Sequence, residues 1–336
     1  MELSDKIQAK LDSLTKPKDS LGELEKIAMR LGLIQQTERP VIKQKGTIVF
    51  AGDHGVVKHK VSAFPKEVTV QMVFNFINNG AAINVLSNFV GSKVFIVDAG
   101  VDYDFDKNSG VINNKIMKGT GDIYLDKAMS AEEARLNVEL GIKLTKKLIG
   151  DYNLDLITVG EMGIGNTTPA TAIIGTVCNM NSETITGRGT GINDASLKIK
   201  EKIIASVIER ISGETNPYTI LSEAGGLEIA QMAGAIIACS EKKVPVVIDG
   251  LICASAALIS HLINPDSSNY MFAGHKSFEP GHIFALKKLG LKPILDLDMR
   301  LGEGTGAVLA MNIIEASTKI INEMATFDGA KISKKL

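Results

Sequence analysis

The chain has no tryptophan, only three cysteines in 336 residues, and a formal net charge of −1. Each shortage excludes something. Without tryptophan, any aromatic wall of a ligand site has to come from Phe or Tyr. Cys178, Cys239 and Cys253 are an odd number without CxxC spacing, which argues against a disulfide framework or a zinc site. Each sits among small or apolar residues and reads as a buried thiol. The lysines are scattered and the charges balance, so there is no nucleic-acid surface to expect. No uncharged apolar run reaches the roughly 18 residues of a membrane span. The opening "MELSDKIQAKLDSL" mixes charges at helical spacing and lacks the apolar core of a signal peptide. A cytoplasmic protein is the expectation. There is no GxSxG elbow for a serine hydrolase, and the five histidines form no HExxH or HxH pair.

What is present is a large apolar fraction, 45% of residues, ample for a packed core. Six β-rich runs alternate with helix-period segments: "GTIVFAGDHG" (46–55), "KVFIVDAGVD" (93–102), "LDLITVGEMGIG" (154–165), "VPVVIDG" (244–250), "NYMFAGHKS" (269–277) and "KPILDLDMRLGEG" (292–304). This is the pattern of a parallel α/β sheet. Every run leads into glycine and charged residues. In a parallel sheet those ends line one crevice, where ligands bind. Between the runs, helices are expected at 66–80, 130–150 (opened by the Ser130/Glu133 capping box and closed before Gly150), 193–211, 225–243 and 253–263. Residues 1–39 read as amphipathic helices without a strand, and the tail 306–327 as one long helix. The expected division is a large Rossmann-like domain, 40–305, and a small helical domain built from 1–39 together with 306–336.

Three stretches carry chemistry. "LDMRLGEGTGAVLA" (297–310) holds a lone carboxylate, Glu303, among Gly302, Gly304 and Gly306, which suits either a surface turn or an active-site base. "GEMGIGNTTPATAI" (160–173) follows a strand and opens a helix. Gly163 and Gly165 allow close backbone approach, and Asn166, Thr167 and Thr168 add donors at a helix N-terminus. That is a phosphate cradle or a plain helix cap; it is neither a Walker loop nor a clean GxGxxG. "TGRGTGIND" (186–194) is a second glycine-rich loop, with Arg188 available for a phosphate or a subunit contact. Asp53, His54 and Asp98 invite a metal-hydrolase reading that nearby spacing does not support, and no metal is expected. His275 in "GHKSFEPGH" reads as catalytic, as lining or as loop structure. In "LDLDMRLGEGTG", Asp296 and Asp298 are separated and would share one face of a strand. The adjacent acid pair that grips a magnesium-bound phosphoribosyl pyrophosphate is missing, so a phosphoribosyl donor here would be one that needs no magnesium.

The strings "FAGDHGVV", "VSAFPKEVTVQMV", "NNGAAINVLS", "IVDAGVD", "GEMGIGNTTPATAI", "GRGTGI", "GGLEIAQMAGAI", "PVVIDGLICASAAL", "HKSFEPGH" and "LDLDMRLGEGTGA" occur in this order over roughly residues 19 to 316. Together they resemble the nicotinate-nucleotide:dimethylbenzimidazole phosphoribosyltransferases. The resemblance implies an α/β fold with a doubly wound, mainly parallel sheet and helices on both faces, and a small helical domain built from both termini. It also implies a homodimer, no cofactor, and transfer of phosphoribose from nicotinate mononucleotide to 5,6-dimethylbenzimidazole. The products would be α-ribazole 5′-phosphate and nicotinate, for the lower ligand of cobalamin. It makes Glu303 the general base and Glu161 a second acid near the ribose or base. It places the phosphate on Gly163–Thr168, with Ser277 and Lys200 as further candidates; Lys200 also reads as a solvated helix lysine. Ser62, Phe64, Gln71 and Leu301 would line the base pocket, and Asp249 would be a ribose or structural contact.

The chemistry is self-consistent. A pyridinium leaves as a neutral ring, so the glycosidic bond is already activated. A benzimidazole nitrogen attacks C1′ from the opposite face and inverts β to α. The other nitrogen loses its proton to a carboxylate, help worth about 10²–10⁴ in rate, with in-line positioning adding to it. The competing readings are an idle nucleotide-binding homologue, which would be expected to have lost Glu303, and a metal hydrolase on Asp53, His54 and Asp98.

Overall fold

The computed structural model describes residues 2–333. Its centre is a seven-stranded sheet: β1 (Lys45–Gly52), β2 (Ser92–Gly100), β3 (Ile112–Asn113), β4 (Leu156–Met162), β5 (Val246–Ile248), β6 (Met271–His275) and β7 (Pro293–Leu295). The order is β3-β2-β1-β4-β5-β6-β7 and every pairing is parallel. The six apolar runs are six of these strands. They read clearly because both faces are covered, so alternation disappears: all eight residues of β1 are buried. β3 went unforeseen because two residues in a polar stretch leave no periodic signal. The chain builds outward from β1 to β3, then returns to the other side of β1 with β4. That reversal puts a switch-point crevice at the carboxyl ends of β1 and β4.

One face is packed by the helix Leu227–Lys242, buried along nearly its whole length, against the helix Ala131–Tyr152. The two approach through glycines. A Cβ on Gly234 would lie 2.0 Å from the Val138 carbonyl, and one on Gly141 would lie 2.1 Å from that of Gln231. The capping box Ser130/Glu133 is present. The helix does not stop before Gly150, however. It runs to Tyr152, and Asn153 ends it in the left-handed region at φ 51°. Asp296 and Asp298 share no strand face either, because β7 ends at Leu295 and Asp298 has φ 53°.

At the N-terminal end, helices Leu3–Ser13 and Glu23–Ile34 precede any strand. The helix Thr305–Glu323 crosses from one environment to another. Ala307, Val308, Met311 and Ile314 pack with the sheet, while Ile321 joins Ile7, Leu11, Leu14 and Ala28 in a separate small cluster. Thr15 N–H donating to the Ala325 carbonyl (2.9 Å) ties the two chain ends together. Residues 334–336 of the expected helical domain lie outside the described residues. Among the described residues no helix is long and apolar enough to cross a membrane.

Candidate active site

The carboxyl ends of β4, β5 and β6 open into a cleft of about 430 Å³. Its floor is the turn before the helix Thr305–Glu323. Gly302, Glu303 and Gly304 are all left-handed, at φ 87°, 61° and 94°. For a glutamate that conformation costs on the order of 1–3 kcal/mol and persists only where the surroundings over-determine it. Here they do. Asp249, at the end of β5, accepts hydrogen bonds from Gly304 N–H (3.3 Å) and Ala307 N–H (2.9 Å). The Gly302 carbonyl accepts from Thr305 N–H (3.0 Å) and the Thr305 hydroxyl (2.8 Å). The Glu303 carbonyl lies against Gly160 of β4, where a Cβ would come within 2.2 Å of it. Glu303 is 6% exposed, and its Oε2 accepts from Ile83 N–H (3.2 Å) in the first turn of the helix Ala82–Val90. Burial raises its pKa, the Ile83 hydrogen bond works against this, and the Asp249 charge adds to the rise.

Glu161, near the carboxyl end of β4, faces the same cleft and receives the Asn166 side-chain amide. Burial pushes it up to about 8. The Asn166 bond opposes that, and the carboxylates of Glu228, Asp249 and Glu303 reinforce it. Glu161 therefore carries its proton at neutral pH.

The helix Thr167–Cys178 begins at the cleft wall. Its N-cap Asn166 serves Glu161 instead of the helix. Thr168 N–H bonds the Gly165 carbonyl (3.0 Å) and Pro169 has no N–H, so in the first turn Thr167 N–H is the donor without a hydrogen-bond partner among the described residues. Gly163, Asn166 and Thr167 line the cleft. Gly165, at φ 89°, makes the turn and packs toward Val57, and Thr168 is buried behind the wall with an unpartnered hydroxyl. Lys200 is fully buried, so it is not a solvated helix lysine. Its ammonium donates to Thr167 Oγ1 (2.7 Å) and the Gly187 carbonyl (3.1 Å), and burial pushes its pKa down to about 8. The helix spacing carried a signal for it: Lys200 lies on the i, i+3, i+4, i+7 stripe with the buried Ile203, Ile204 and Val207.

Ser277 lines the cleft with its backbone N–H on His282 Nδ1 (3.0 Å). Burial takes His282 down to about 3 and keeps it neutral. His275 is buried at the wall, with Nε2 3.4 Å from Asp249 Oδ1. Phe64 and Leu301 flank the mouth and are 51% and 59% exposed.

Two expected lining residues stand elsewhere, and Asp249 takes the structural one of its two expected roles. Gln71 faces a neighbouring groove with Asp53, Lys66, Phe74 and Tyr103, because the cleft-facing stripe of the helix Val68–Ile77 is Val68 and Met72, one turn apart. Ser62 stands behind the mouth, its hydroxyl 3.0 Å from that of Thr190. Asp249 lies beneath the floor as a backbone anchor and does not line the cleft.

The residues of the hydrolase reading do not converge. Asp53 accepts from Asp102 N–H (2.8 Å), His54 Nε2 lies 2.7 Å from Glu228 Oε1, and Asp98 pairs with Lys115 (2.8 Å). Among the described residues no three His, Cys, Asp or Glu side chains are grouped to hold a metal ion.

The sequence reading passed over Arg300, Thr190 and Glu279, all in the cleft wall. Glu279 Oε1 accepts from Gly189 N–H (3.0 Å), Arg300 donates to the Gly189 carbonyl (3.2 Å), and Thr190 Oγ1 accepts from Ala63 N–H (2.8 Å). Arg300 stands two residues before "GEG" and Thr190 within "GRGTG", so the glycine-rich strings are the signal for the first two.

A buried carboxylate on an anchored turn, facing an uncapped helix N-terminus, is a geometry suited to a phosphorylated substrate with an ionisable ring. A phosphoribosyltransferase family model (DBI_PRT) matches residues 1–332. The chain belongs to this phosphoribosyltransferase family. Among relatives within it, the nicotinate-nucleotide–dimethylbenzimidazole phosphoribosyltransferase of Geotalea uraniireducens is 48% identical over 330 residues, covering 98% of this chain and 94% of that protein. The enzyme of the same name from Desulforamulus reducens is 49% identical over 327 residues, covering 97% and 93%. The crystal structure of CobT from Thermus thermophilus superposes with a TM-score of 0.96 at 38% identity, over 100% of both chains. The family therefore accounts for the whole parallel sheet and not for one motif.

Proposed function

We propose that the protein transfers the phosphoribosyl group of nicotinate mononucleotide to 5,6-dimethylbenzimidazole, giving α-ribazole 5′-phosphate and nicotinate for the cobalamin lower ligand. The observation that carries the reading is the Glu303 carboxylate, buried and fixed on a left-handed turn at the cleft floor. In this reading one benzimidazole nitrogen attacks C1′. The bond from C1′ to the pyridinium nitrogen breaks and its electron pair neutralises the departing ring. Attack from the face opposite nicotinate inverts the centre. The proton on the second benzimidazole nitrogen passes to Glu303, whose raised pKa makes it a better acceptor than an exposed carboxylate. Protonated Glu161 offers a hydrogen-bond donor to the ribose or ring, and the surrounding acids favour the cationic ring that forms. The phosphate sits at the N-terminus of the helix Thr167–Cys178, with Lys200 behind Thr167 and Ser277 opposite.

The protein works as a cytoplasmic homodimer in this reading, with the helix Leu3–Ser13 and the end of the helix Thr305–Glu323, packed around Ile7, Leu11, Leu14, Ala28 and Ile321, as a helical appendage. Support comes from the exposed apolar residues Phe64 and Leu301 at the cleft mouth and Phe278 and Leu297 in the neighbouring chain segments, which a second copy would cover. The unpaired thiols suit a reducing compartment.

The test is to mix the protein with nicotinate mononucleotide and 5,6-dimethylbenzimidazole in the presence of chelator, and follow nicotinate and the new ribotide by mass spectrometry. A product at the mass of α-ribazole phosphate is expected. Nicotinate release without a ribotide would replace transfer by hydrolysis, and no turnover by folded protein would favour a binding role.

A further inference from the structure

The donor carries two anionic groups, a phosphate and the carboxylate of its nicotinate ring, and the two need separate anchors. Lys200 and the helix N-terminus account for one. Among the described residues that line the cleft, Arg300 is the one with a permanent positive charge. Its guanidinium makes a single long hydrogen bond, Nη1 to the Gly189 carbonyl (3.2 Å), and has no ion-pair partner among the described residues. Four of its five N–H groups are left available, in the forked geometry that matches a carboxylate.

Its direction matters as much as its charge. Arg300 and Glu303 belong to one turn, yet they reach different segments of the chain. The Glu303 carboxylate goes to Ile83 N–H, on the helix Ala82–Val90, and the Arg300 guanidinium goes to Gly189, in the loop beside the helix Asp194–Arg210. In an in-line displacement the entering and leaving rings occupy opposite faces of C1′. A base that touches the entering ring and a cation that touches the leaving ring must therefore diverge in the same way.

From this we infer that Arg300 binds the carboxylate of the nicotinate ring and makes the enzyme selective for nicotinate mononucleotide over nicotinamide mononucleotide. A neutral amide offers the guanidinium no charge, so the two donors, identical in ribose and phosphate, are told apart at the leaving ring. This rests on the transfer reaction proposed above, which turnover of nicotinate mononucleotide by the unmodified protein checks separately in the same assay.

The experiment compares the unmodified protein with Arg300→Gln and Arg300→Lys, measuring kcat/KM for both mononucleotides and inhibition by free nicotinate. Loss of a charge-assisted hydrogen-bonded pair is typically worth about 10–100-fold. Arg300→Gln should lower kcat/KM for the nicotinate donor by that factor, leave the nicotinamide donor nearly unchanged, and weaken inhibition by free nicotinate in parallel. Arg300→Lys should recover part of the loss. Equal losses on both donors would overturn the inference and make Arg300 a phosphate or loop anchor. An unchanged nicotinate donor would overturn it as well. Free nicotinate lacks the phosphate, so its inhibition constant separates ring recognition from any general disturbance of the Gly189 loop.

Discussion

The cleft has two glycine-rich walls built on opposite plans. The Gly302–Gly304 turn is fixed from below. Asp249 holds its amides, β4 presses Gly160 against its carbonyl, and Glu303 is tied to a helix N-terminus. The Gly187–Gly191 loop is held from the sides by groups that reach across from three other segments: Glu279 and Arg300 to Gly189, and Thr190 to the Ser62–Ala63 loop. The first wall inherits the rigidity of the sheet. The second has one buried anchor, Lys200 on the Gly187 carbonyl (3.1 Å), and around Gly189 and Thr190 it is held by partly buried or exposed hydrogen bonds. An enzyme that must hold a base in place and yet admit two aromatic rings needs one wall of each kind.

The largest effects should come from the rigid wall. Glu303→Gln keeps an acceptor for the Ile83 amide and removes the proton acceptor, so the protein should fold normally and turnover should drop by about 10²–10⁴, with little change in donor KM. Steady-state kinetics beside a thermal melt decide it; near-normal turnover would mean that the base is another group. Asp249→Asn retains one acceptor oxygen for two amides and loses the charge. A charge-assisted bond is worth roughly 1.5–3 kcal/mol, so kcat should fall about 10–100-fold through misplacement of Glu303. A fall confined to KM would contradict the anchoring role.

Glu161 gives the comparison a pH axis. Its pKa is raised to about 8 in the folded protein, above its ordinary value of 4.5. Between those two values the folded state holds a proton that the unfolded state has released. The stability this group contributes is therefore complete below pH 4.5, and it declines as pH rises toward about 8. Glu161→Gln cannot titrate. Denaturant melts at pH 5 and pH 8 should show the variant gaining on the unmodified protein at the higher pH. A constant difference would mean that Glu161 is ionised in the fold.

The same contrast explains what the sequence made legible. Parallel strands covered on both faces leave unbroken apolar runs, and their polar ends point to one edge of the sheet. Glu303 stood out because three glycines around a carboxylate are locally odd. The clasp around Gly189 was not legible, because Glu279 and Arg300 reach it across 90 and 111 residues of chain. Lys200 falls on the buried stripe of its helix with Ile203, Ile204 and Val207, but its partners, the Thr167 hydroxyl and the Gly187 carbonyl, come from other segments that the helix pattern does not show. For Gln71 the helix was anticipated correctly, but which of its faces looks into the cleft depends on how the helix packs, which periodicity alone does not give.

Thr190→Ala tests the looser wall and should have the smallest effect. It removes the acceptor of Ala63 N–H and the partner of the Ser62 hydroxyl, both at the exposed mouth where water replaces them. A typical neutral hydrogen bond contributes only about 0.5–1.5 kcal/mol net, which corresponds to a few-fold rise in KM with kcat preserved. Asp249 and Thr190 have no hydrogen-bond partner in common, and the link from the Glu303 turn to this loop, Arg300 to the Gly189 carbonyl, is intact in both variants, so combining Thr190→Ala with Asp249→Asn should give additive free energies. A double-mutant cycle with substantial coupling would show that the two walls move as one unit, and the difference between them would then belong to geometry alone and not to rigidity.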